Sequence, residues 1–225
     1  MQTHRHIRSF VLRAGRTTHA QERALAELWP VFGADLGAGT LDFPVIFGRQ
    51  APRCLEIGFG VGEVIGSLAE NHPHIDYVGI EVHRPGVGRL LLRAAQGELR
   101  NLRVICHDAV EVLEQAVQDG SFDEILVFFP DPWHKKRHHK RRLIDPAFTA
   151  TLASKLLPNG VLRLATDWQA YAEQMLEVCN ANPQLESLSA DGTYVPRPAF
   201  RPPTRFERRG ERLGHGVWDL AYRKR

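Results

Sequence analysis

Short apolar runs alternate with longer stretches of helical periodicity over most of this chain. The runs have the pattern of buried strands, and their alternation with helices predicts a parallel, doubly wound α/β sheet. The predicted strands are 53–57, 75–82, 102–106, 123–129 and 160–166. The predicted helices are 62–71, 86–96, 109–118, 146–157 and 168–180. Right-handed crossovers then place the strand ends that face a ligand at one edge of the sheet.

The N-terminal region departs from this alternation. Residues 1–17 are polar and basic without a sustained period, which predicts a flexible arm. Thr17 or Thr18 is a candidate cap for a helix that runs to about Trp29. Pro30 is expected to end this helix, since proline cannot supply the backbone N–H that an interior position needs.

The C-terminal region also breaks the pattern. It predicts a strand at 185–189, a long functional loop rich in Pro, Arg and Gly at 193–216, and a final alternating strand at 217–222. With 225 residues, of which 43% are hydrophobic, the chain can build one sizeable core. We therefore expect residues 18–225 to form a single domain.

Carboxylates stand at the ends of all five predicted parallel strands. A single acid at a strand end is ordinarily a helix cap or part of a solvated turn, and Asp108 has the position of a cap. Five acids at one edge of a parallel sheet would instead converge on the crevice where such sheets bind ligands. These acids are Glu56, Glu81, Asp108, Asp131 and Asp167.

A glycine-rich turn after the first strand indicates which cofactor this crevice holds. Gly58 and Gly60 fit the dinucleotide-binding pattern, but its third glycine is replaced by Glu63. A pyrophosphate at this helix N-terminus would be repelled by Glu56 and Glu63. S-adenosylmethionine carries a sulfonium and an ammonium and no phosphate, so carboxylates beside the turn favour it as the cofactor.

Basic residues are concentrated in one segment. Residues 134–142 hold six Lys or Arg and no acid, so a net charge of +3 leaves −3 on the rest of the chain. A local basic patch indicates a polyanionic partner, although a solvated charged loop is the simpler alternative. Three histidines, His134, His138 and His139, lie in the same segment. No acid or cysteine completes a metal set with them, and we expect no metal.

Several other classes of protein are disfavoured. A membrane span is not predicted because no run of about 18 apolar residues exists. The basic N-terminus lacks the apolar run of a secretory signal. Three scattered cysteines, Cys54, Cys106 and Cys179, suggest a reducing, cytoplasmic setting. Neither a nucleophile elbow nor a Walker loop is present.

Taken in order, the motifs resemble those of the bacterial tRNA (guanine-N7)-methyltransferase family, nearly end to end. The matching segments are 55–60, 79–83, 129–138, 165–168, 201–202 and 204–210. The chain departs from the family at Arg205, where Lys is frequent. The resemblance implies a class I methyltransferase fold, with a mostly parallel sheet and an antiparallel C-terminal strand. It also implies methyl transfer from S-adenosylmethionine to a guanine in the tRNA variable loop, with no obligatory protein partner.

The resemblance further implies roles for individual residues. Asp131 would be the catalytic residue, between cofactor and substrate. The cofactor would be bound by Glu56, Gly58, Gly60, Glu81, Asp108 and Asp131. The substrate would be held by Lys135, Arg137, His138, His139, Lys140, Arg141, Arg142, Asp167, Thr204, Arg205, Phe206 and Glu207.

The chemistry of guanine N7 suggests how such a site would work. N7 carries a lone pair and no proton, so positioning and negative charge help more than a general base. Asp131 and Asp167 suit this task, and Trp133 or Phe206 is a candidate to stack on an extruded base or to pack in the core.

Two alternatives remain open on the sequence. One is a methyltransferase for an amine, DNA or a small molecule, because residues 130–133 resemble an amino-methylating motif. The other is a non-catalytic RNA-binding protein with the same fold. The basic segment argues against a small-molecule substrate, and the intact acids at the strand ends argue against a non-catalytic protein.

Overall fold

A seven-stranded sheet forms the centre of the protein. The computed structural model describes residues 8–10, 17–37, 39–202 and 216–225. The strands are β1 (Arg53–Ile57), β2 (Asp76–Ile80), β3 (Leu102–Ile105), β4 (Phe122–Phe128), β5 (Leu156–Thr166), β6 (Leu185–Ser187) and β7 (Trp218–Lys224).

The strand order confirms the predicted fold class. The order is β3-β2-β1-β4-β5-β7-β6, with β1 to β5 parallel and β7 antiparallel to both β5 and β6. Successive strands therefore run outward from β1 in one direction and from β4 in the other. Open sheets of this kind bind ligands at such a reversal, outside the carboxyl ends of the strands.

Eight α-helices and one 3-10 helix lie within the described part of the chain. They are α1 (His19–Glu27), α2 (Trp29–Phe32), α3 (Phe43–Phe47), α4 (Glu63–Asn71), α5 (Arg84–Gln96), α6 (Ala109–Gln115), α7 (Pro146–Lys155) and α8 (Gln169–Ala181), with the 3-10 helix at Lys136–Arg141. Among these residues, no helix has both the length and the apolar character needed to cross a bilayer.

Apolar side chains cover both faces of the sheet. In β4, Ile125 and Val127 pack into one cluster, while Leu126 and Phe128 pack into the other. All four are buried, and each buried side chain of this size contributes about 1.5–3 kcal/mol. Burial on both faces explains why the parallel strands have nearly continuous apolar sequences rather than an alternating pattern.

The prediction of one helix ending at Pro30 is wrong. Thr18 caps α1, with its side chain accepting from the backbone N–H of Gln21, but α1 ends at Glu27. Pro30 lies in the first turn of the next helix, α2. Proline is tolerated there because its missing N–H would have no helical partner in any case.

Two short helices were not predicted. Five residues form α3, and Asp42 caps it by accepting from the N–H of Val45. The basic segment folds as the 3-10 helix Lys136–Arg141, which we call the basic helix. One or two turns are too short to show a periodic apolar pattern, so neither helix has a clear signal in the sequence.

The boundary between α7 and β5 also differs from the prediction. The sequence predicts a helix that continues through residue 157, but β5 begins at Leu156, which pairs with Phe122. The register shifts between Phe122 and Glu124, and Asn159 has a φ of 66° in this stretch. This irregularity separates Leu156 from the apolar run that marks the rest of the strand.

Candidate active site

A cavity of about 400 Å³ opens where the strand order reverses. Its volume is in the range of small-molecule sites. Five of the residues predicted to bind cofactor or substrate line it, and they come from the segments after four different strands: Gly58, Gly60, Glu81, Asp108 and Asp131. The structure therefore brings together most of the acids that the sequence placed at one edge of the sheet.

The glycine-rich turn that follows β1, which contains Gly58 and Gly60 and which we call the glycine turn, packs against α5. Gly60 has a φ of 60°, in the left-handed region that favours glycine. A Cβ added to Gly86, in the first turn of α5, would lie 1.9 Å from the carbonyl oxygen of Gly60. A Cβ on Gly60 itself would meet nothing within 4 Å. The turn therefore touches α5 closely on one side and faces open space on the other.

Glu81 fixes the same turn from β2. One oxygen, Oε2, accepts from the backbone N–H of Gly60 at 2.8 Å. The other, Oε1, accepts from the N–H groups of Val82 and His83 at 2.7 and 2.9 Å. Three backbone donors thus set the orientation of this carboxylate at the edge of the cavity. Oε1 uses both of its lone-pair sites on these donors, whereas Oε2 keeps one that can accept from a ligand hydroxyl.

Glu56 lies in β1, just before the turn, and does not line the cavity. It is 4% exposed, and its Oε2 finds no hydrogen-bond partner among the described residues. Burial raises the pKa of Glu56 to about 8, and the nearby charge of Glu81 adds to this rise. A buried carboxyl group of this kind is suited to a cationic partner. An ammonium group on a ligand would supply one, so this residue fits S-adenosylmethionine.

Asp108 combines the two roles considered from the sequence. Its Oδ1 caps α6 by accepting from the N–H of Val110 at 3.0 Å. The same residue also lines the cavity, beside His107 and Ala109. Capping therefore holds this carboxylate in place at the cavity wall.

Asp131 lies in a strained turn that follows β4, which we call the β4 turn (residues 129–133). Phe129 and Trp133, at its two ends, have φ angles of 53° and 48°, which bulky side chains rarely adopt. The N–H of Phe129 donates to the carbonyl of Ala165 at 2.8 Å. Asp131 is exposed and lines the cavity. Strain of this kind clusters at functional sites.

Trp133 contacts two parts of the protein, the N-terminal segment and the basic helix. Its indole N–H donates to the backbone oxygen of Ser9 at 2.9 Å. The guanidinium of Arg141 lies over its ring at 4.8 Å, and the edge of His138 contacts it at 5.8 Å. These contacts hold the indole in place, and the guanidinium of Arg141 occupies one face of its ring.

The basic helix and Lys135, the residue before it, expose several cations that follow the β4 turn. Lys135, Arg137 and Lys140 are exposed, and His138 and His139 are half-buried. Partial burial and the neighbouring cations, led by Arg137, lower the pKa of His138. Its imidazole is therefore neutral near pH 7, and the positive charge of this surface comes from lysine and arginine.

Arg142 does not belong to that surface, which corrects the expectation that it contacts RNA. It is 4% exposed, and its guanidinium donates to the carbonyl oxygens of Pro132 and Ala170 at 2.9 and 3.1 Å. It also donates to Gln174 at 2.7 Å and lies over the ring of Tyr171. Arg142 therefore ties the β4 turn to α8, and its guanidinium donors are engaged within the protein rather than offered to a phosphate.

The remaining predicted substrate residues are only partly described. Asp167 follows β5 and is half-buried, outside the wall of the cavity. Its neighbour Trp168 contacts the ring of His134 at 4.1 Å, so the end of β5 lies next to the segment after the β4 turn. The last four predictions, Thr204, Arg205, Phe206 and Glu207, lie outside the described residues.

Three contributors to the site were not predicted. Ser9 and Phe10, from the segment expected to be a flexible arm, line the cavity. Arg201, which the sequence analysis includes only in the matching segment 201–202, is fully buried beside the β4 turn. The sequence around Ser9 and Phe10 has no periodicity, so only the fold could reveal their position. In the part of the chain that the structure covers, no group of His, Cys, Asp or Glu side chains is arranged to hold a metal.

Comparisons with known proteins agree with this architecture. Residues 50–220 match the family model described as "Putative methyltransferase". The fold is similar to that of the 16S rRNA methyltransferase KamB, with a TM-score of 0.58 and 15% identity over 86% of this chain and 98% of that one. The sheet, its cavity and the family model together define a methyltransferase of the class I fold.

Close relatives identify the family within this class. The tRNA (guanine-N(7)-)-methyltransferase of Ectopseudomonas mendocina is 56% identical over 98% of this chain and 92% of its own length. That of Burkholderia ambifaria is 57% identical over 99% of this chain and 86% of its own. The chain belongs to the tRNA (guanine-N(7)-)-methyltransferase family.

Proposed function

We propose that this protein transfers the methyl group of S-adenosylmethionine to N7 of a guanine in the variable loop of transfer RNA. The observation that carries the proposal is the position of Asp131, which lines the cavity and lies five residues before the start of the basic helix. A base delivered by RNA bound to this helix would meet the cavity at Asp131. The names of the relatives supply the choice of base and atom.

Cofactor binding rests on the residues around the glycine turn. S-adenosylmethionine supplies an electrophilic methyl group on a cationic sulfur. Glu56 would interact with its ammonium group, and Glu81 would accept from its ribose hydroxyls. Gly58 and Gly60 leave the backbone open to close approach, and Asp108 completes the wall.

Asp131 would act by orientation and charge. Its carboxylate can accept from the N1–H and the exocyclic amine of guanine, which would distinguish guanine from adenine. As the ring gains positive charge, a fixed carboxylate nearby stabilises that charge. Asp167 would support the same base from the end of β5. No general base is needed, because N7 carries no proton.

RNA phosphates would meet the cations and the histidine N–H donors of the basic helix and of the residue before it. The proposed contacts are Lys135, Arg137, His138, His139, Lys140 and Arg141. Phosphate contacts position the nucleic acid and carry little sequence information, so they should give affinity rather than choice among transfer RNAs. The resemblance assigns Thr204, Arg205, Phe206 and Glu207 to the substrate as well. We place the reaction in the cytoplasm, with no metal and no obligatory protein partner.

Mass spectrometry of nucleosides tests this function. An unmodified transfer RNA transcript is incubated with the protein and S-adenosylmethionine, then digested to nucleosides. The proposal predicts 7-methylguanosine as the methylated product. A transcript built with 7-deazaguanosine, which has a carbon in place of N7, is the matched control and should remain unmethylated. Methylation of another base, or of the control transcript, would rule the proposal out.

A further inference from the structure

Arg201 is the largest fully buried side chain in the described part of the protein, with 0% exposure. Its Nη2 donates to both carboxylate oxygens of Asp219, at 3.0 and 2.8 Å. Asp219 lies in β7 and is itself buried. A guanidinium is rarely buried unless it is paired, because removing its charge from water is costly. The pairing with Asp219 therefore accounts for part of the cost of burying this guanidinium, and its other contacts indicate what the burial achieves.

The guanidinium reaches from β7 to the end of β4. Its central carbon lies 5.4 Å from the ring centre of Phe128 and 5.3 Å from that of Phe129. Phe128 pairs with Ala165, and Ala165 pairs with Asp219, so the three residues form one row across the sheet. Ala165, with its small side chain, is in the middle of this row, and Phe128 and Asp219, which both contact Arg201, are at its ends.

Phe129 is the first residue of the β4 turn and has a φ of 53°. This conformation is costly for a bulky residue and persists only when its surroundings hold it. Two contacts restrain the backbone at Phe129: the hydrogen bond from its N–H to the carbonyl of Ala165, and the packing of its ring against Arg201. Pro130 and Asp131 follow directly, so the direction in which Phe129 leaves the sheet sets the place of the Asp131 carboxylate.

We propose that Arg201 is a positioning residue for methyl transfer: packed against Phe128 and Phe129 and anchored by Asp219, it sets the position of Asp131 without contacting either substrate. The proposal rests on the proposed function in one respect, since it takes Asp131 as the catalytic carboxylate. A planar guanidinium can pair with an acid and lie against aromatic rings at once, whereas an ammonium cannot cover a ring in the same way.

Two substitutions at Arg201 and one control separate positioning from plain stability. Arg201→Lys keeps a cation for Asp219 and removes the planar group that lies against the rings, and Arg201→Met removes both. Arg49→Met is the control. Arg49 also pairs with a buried acid, Asp76, but this acid lies at the beginning of β2, away from the carboxyl ends of the strands where the cavity opens. The measurements are the single-turnover methylation rate with both substrates saturating, the cofactor Kd, the Tm, and backbone hydrogen exchange over residues 126–134.

Positioning predicts that the single-turnover rate of both Arg201 variants falls on the order of 10- to 100-fold, as it does when a reacting group is slightly displaced. The cofactor Kd should stay within about twofold, and exchange at residues 126–134 should accelerate. Arg49→Met should lower the Tm without either change.

A single-turnover rate in folded Arg201→Lys equal to that of the Arg49→Met control would overturn the proposal. Unchanged exchange at residues 126–134 in both Arg201 variants would overturn it as well. Hydrogen exchange needs no methylation. If the parent protein fails to methylate RNA, the proposed function falls, and exchange alone still decides whether Arg201 holds the β4 turn.

Discussion

Two carboxylates of the site are chemically alike and differ in their surroundings. Glu56 is 4% exposed just before the glycine turn, and burial raises its pKa to about 8. Asp131 is exposed at a turn beside the basic helix. Environment commonly assigns different roles to two acids in one site. Here it separates a buried carboxyl group, suited to a cofactor ammonium, from an exposed one that we propose meets the substrate base.

The surroundings of Glu56 predict that cofactor binding releases a proton. At pH 7 the group is mostly protonated in the unliganded protein, because its pKa is about 8. Binding an ammonium requires the ionised form, so roughly one proton should leave Glu56 for each cofactor bound. Affinity should accordingly gain from a rise in pH toward 8. Titration calorimetry in buffers with different ionisation enthalpies counts the protons.

Glu56→Gln is the matched variant, since an amide keeps the shape and cannot ionise. It should bind more weakly by about 1.5–3 kcal/mol, the scale of a hydrogen bond to a charged group. Its proton release should be lower than that of the parent by roughly one. Equal proton counts in the two proteins would show that Glu56 is not the group that ionises.

At the scale of elements, the glycine turn depends on two neighbours rather than on its own sequence alone. Glu81 binds the N–H of Gly60 from the end of β2, and Gly86 of α5 lies against the carbonyl of Gly60. The turn therefore has little room to move toward α5. Its shape should depend on the space that Gly86 leaves open.

Gly86→Ala should displace the turn and weaken cofactor binding. The new Cβ would lie 1.9 Å from the carbonyl oxygen of Gly60, closer than any packing tolerates. We expect the cofactor Kd to rise by about tenfold or more, with a lower Tm, since overpacking ordinarily costs about 1–3 kcal/mol. Gly37→Ala is the control, because a Cβ there meets nothing within 4 Å. Similar cofactor affinity in the two variants would argue against a fixed turn.

The basic helix predicts a change in the salt dependence of RNA binding. Arg137→Ala combined with Lys140→Ala removes two exposed cations. The slope of log Kd against log salt concentration should flatten by about 0.7–0.9 for each phosphate that the variant no longer neutralises. Cofactor affinity should stay constant.

Arg100→Ala with Arg223→Ala is the control for the basic helix. Both residues are exposed cations at the end of the sheet where the parallel strands begin. Arg100 precedes β3, and Arg223 of β7 pairs with Val161 of β5. This pair should leave the slope unchanged. Equal slopes for the two double variants would mean that the basic helix is only a solvated surface.

The elements show where a sequence is informative. The parallel strands could be placed within a few residues because burial on both faces makes them continuous apolar runs. The helix α3 and the basic helix could not, since one or two turns have no period to detect. Pro30 misled the prediction for a different reason: proline ends a helix and also begins one, and only the neighbouring backbone decides which.

At the scale of the whole molecule, the site is assembled from distant parts of the chain. Ser9, Gly60, Glu81, Asp108 and Asp131 all line one cavity. The strand-end acids among them could be predicted from the sequence, because the topology of parallel sheets brings strand ends together. Ser9 could not, since its place depends on a long-range hydrogen bond with Trp133 that no local pattern encodes.

Charge alone did not separate surface arginines from buried ones. Arg141 and Arg142 are neighbours in the same basic run, yet Arg141 lies over Trp133 while Arg142 is buried against α8. Arg201 is likewise buried in a segment rich in arginine. Long side chains can enter the interior wherever an acid, carbonyl groups or an aromatic ring offer partners, and such partners are visible only in the fold.

The most direct test of the account concerns Asp131. Asp131→Asn keeps the shape and one acceptor, but it removes the charge and adds donors that face the donors of guanine. Losing the carboxylate should cost more as the ring becomes cationic than in the ground state. Asp123→Asn, at the exposed beginning of β4, is the matched control.

The decisive measurement is the single-turnover rate of 7-methylguanosine formation with both substrates saturating. The account predicts a fall of roughly 10²-fold or more for Asp131→Asn, the scale of losing one preorganised electrostatic partner. RNA binding, dominated by phosphates, should change little, and Asp123→Asn should match the parent. A rate for Asp131→Asn within a few-fold of the parent would contradict the account and make Asp167 the better candidate.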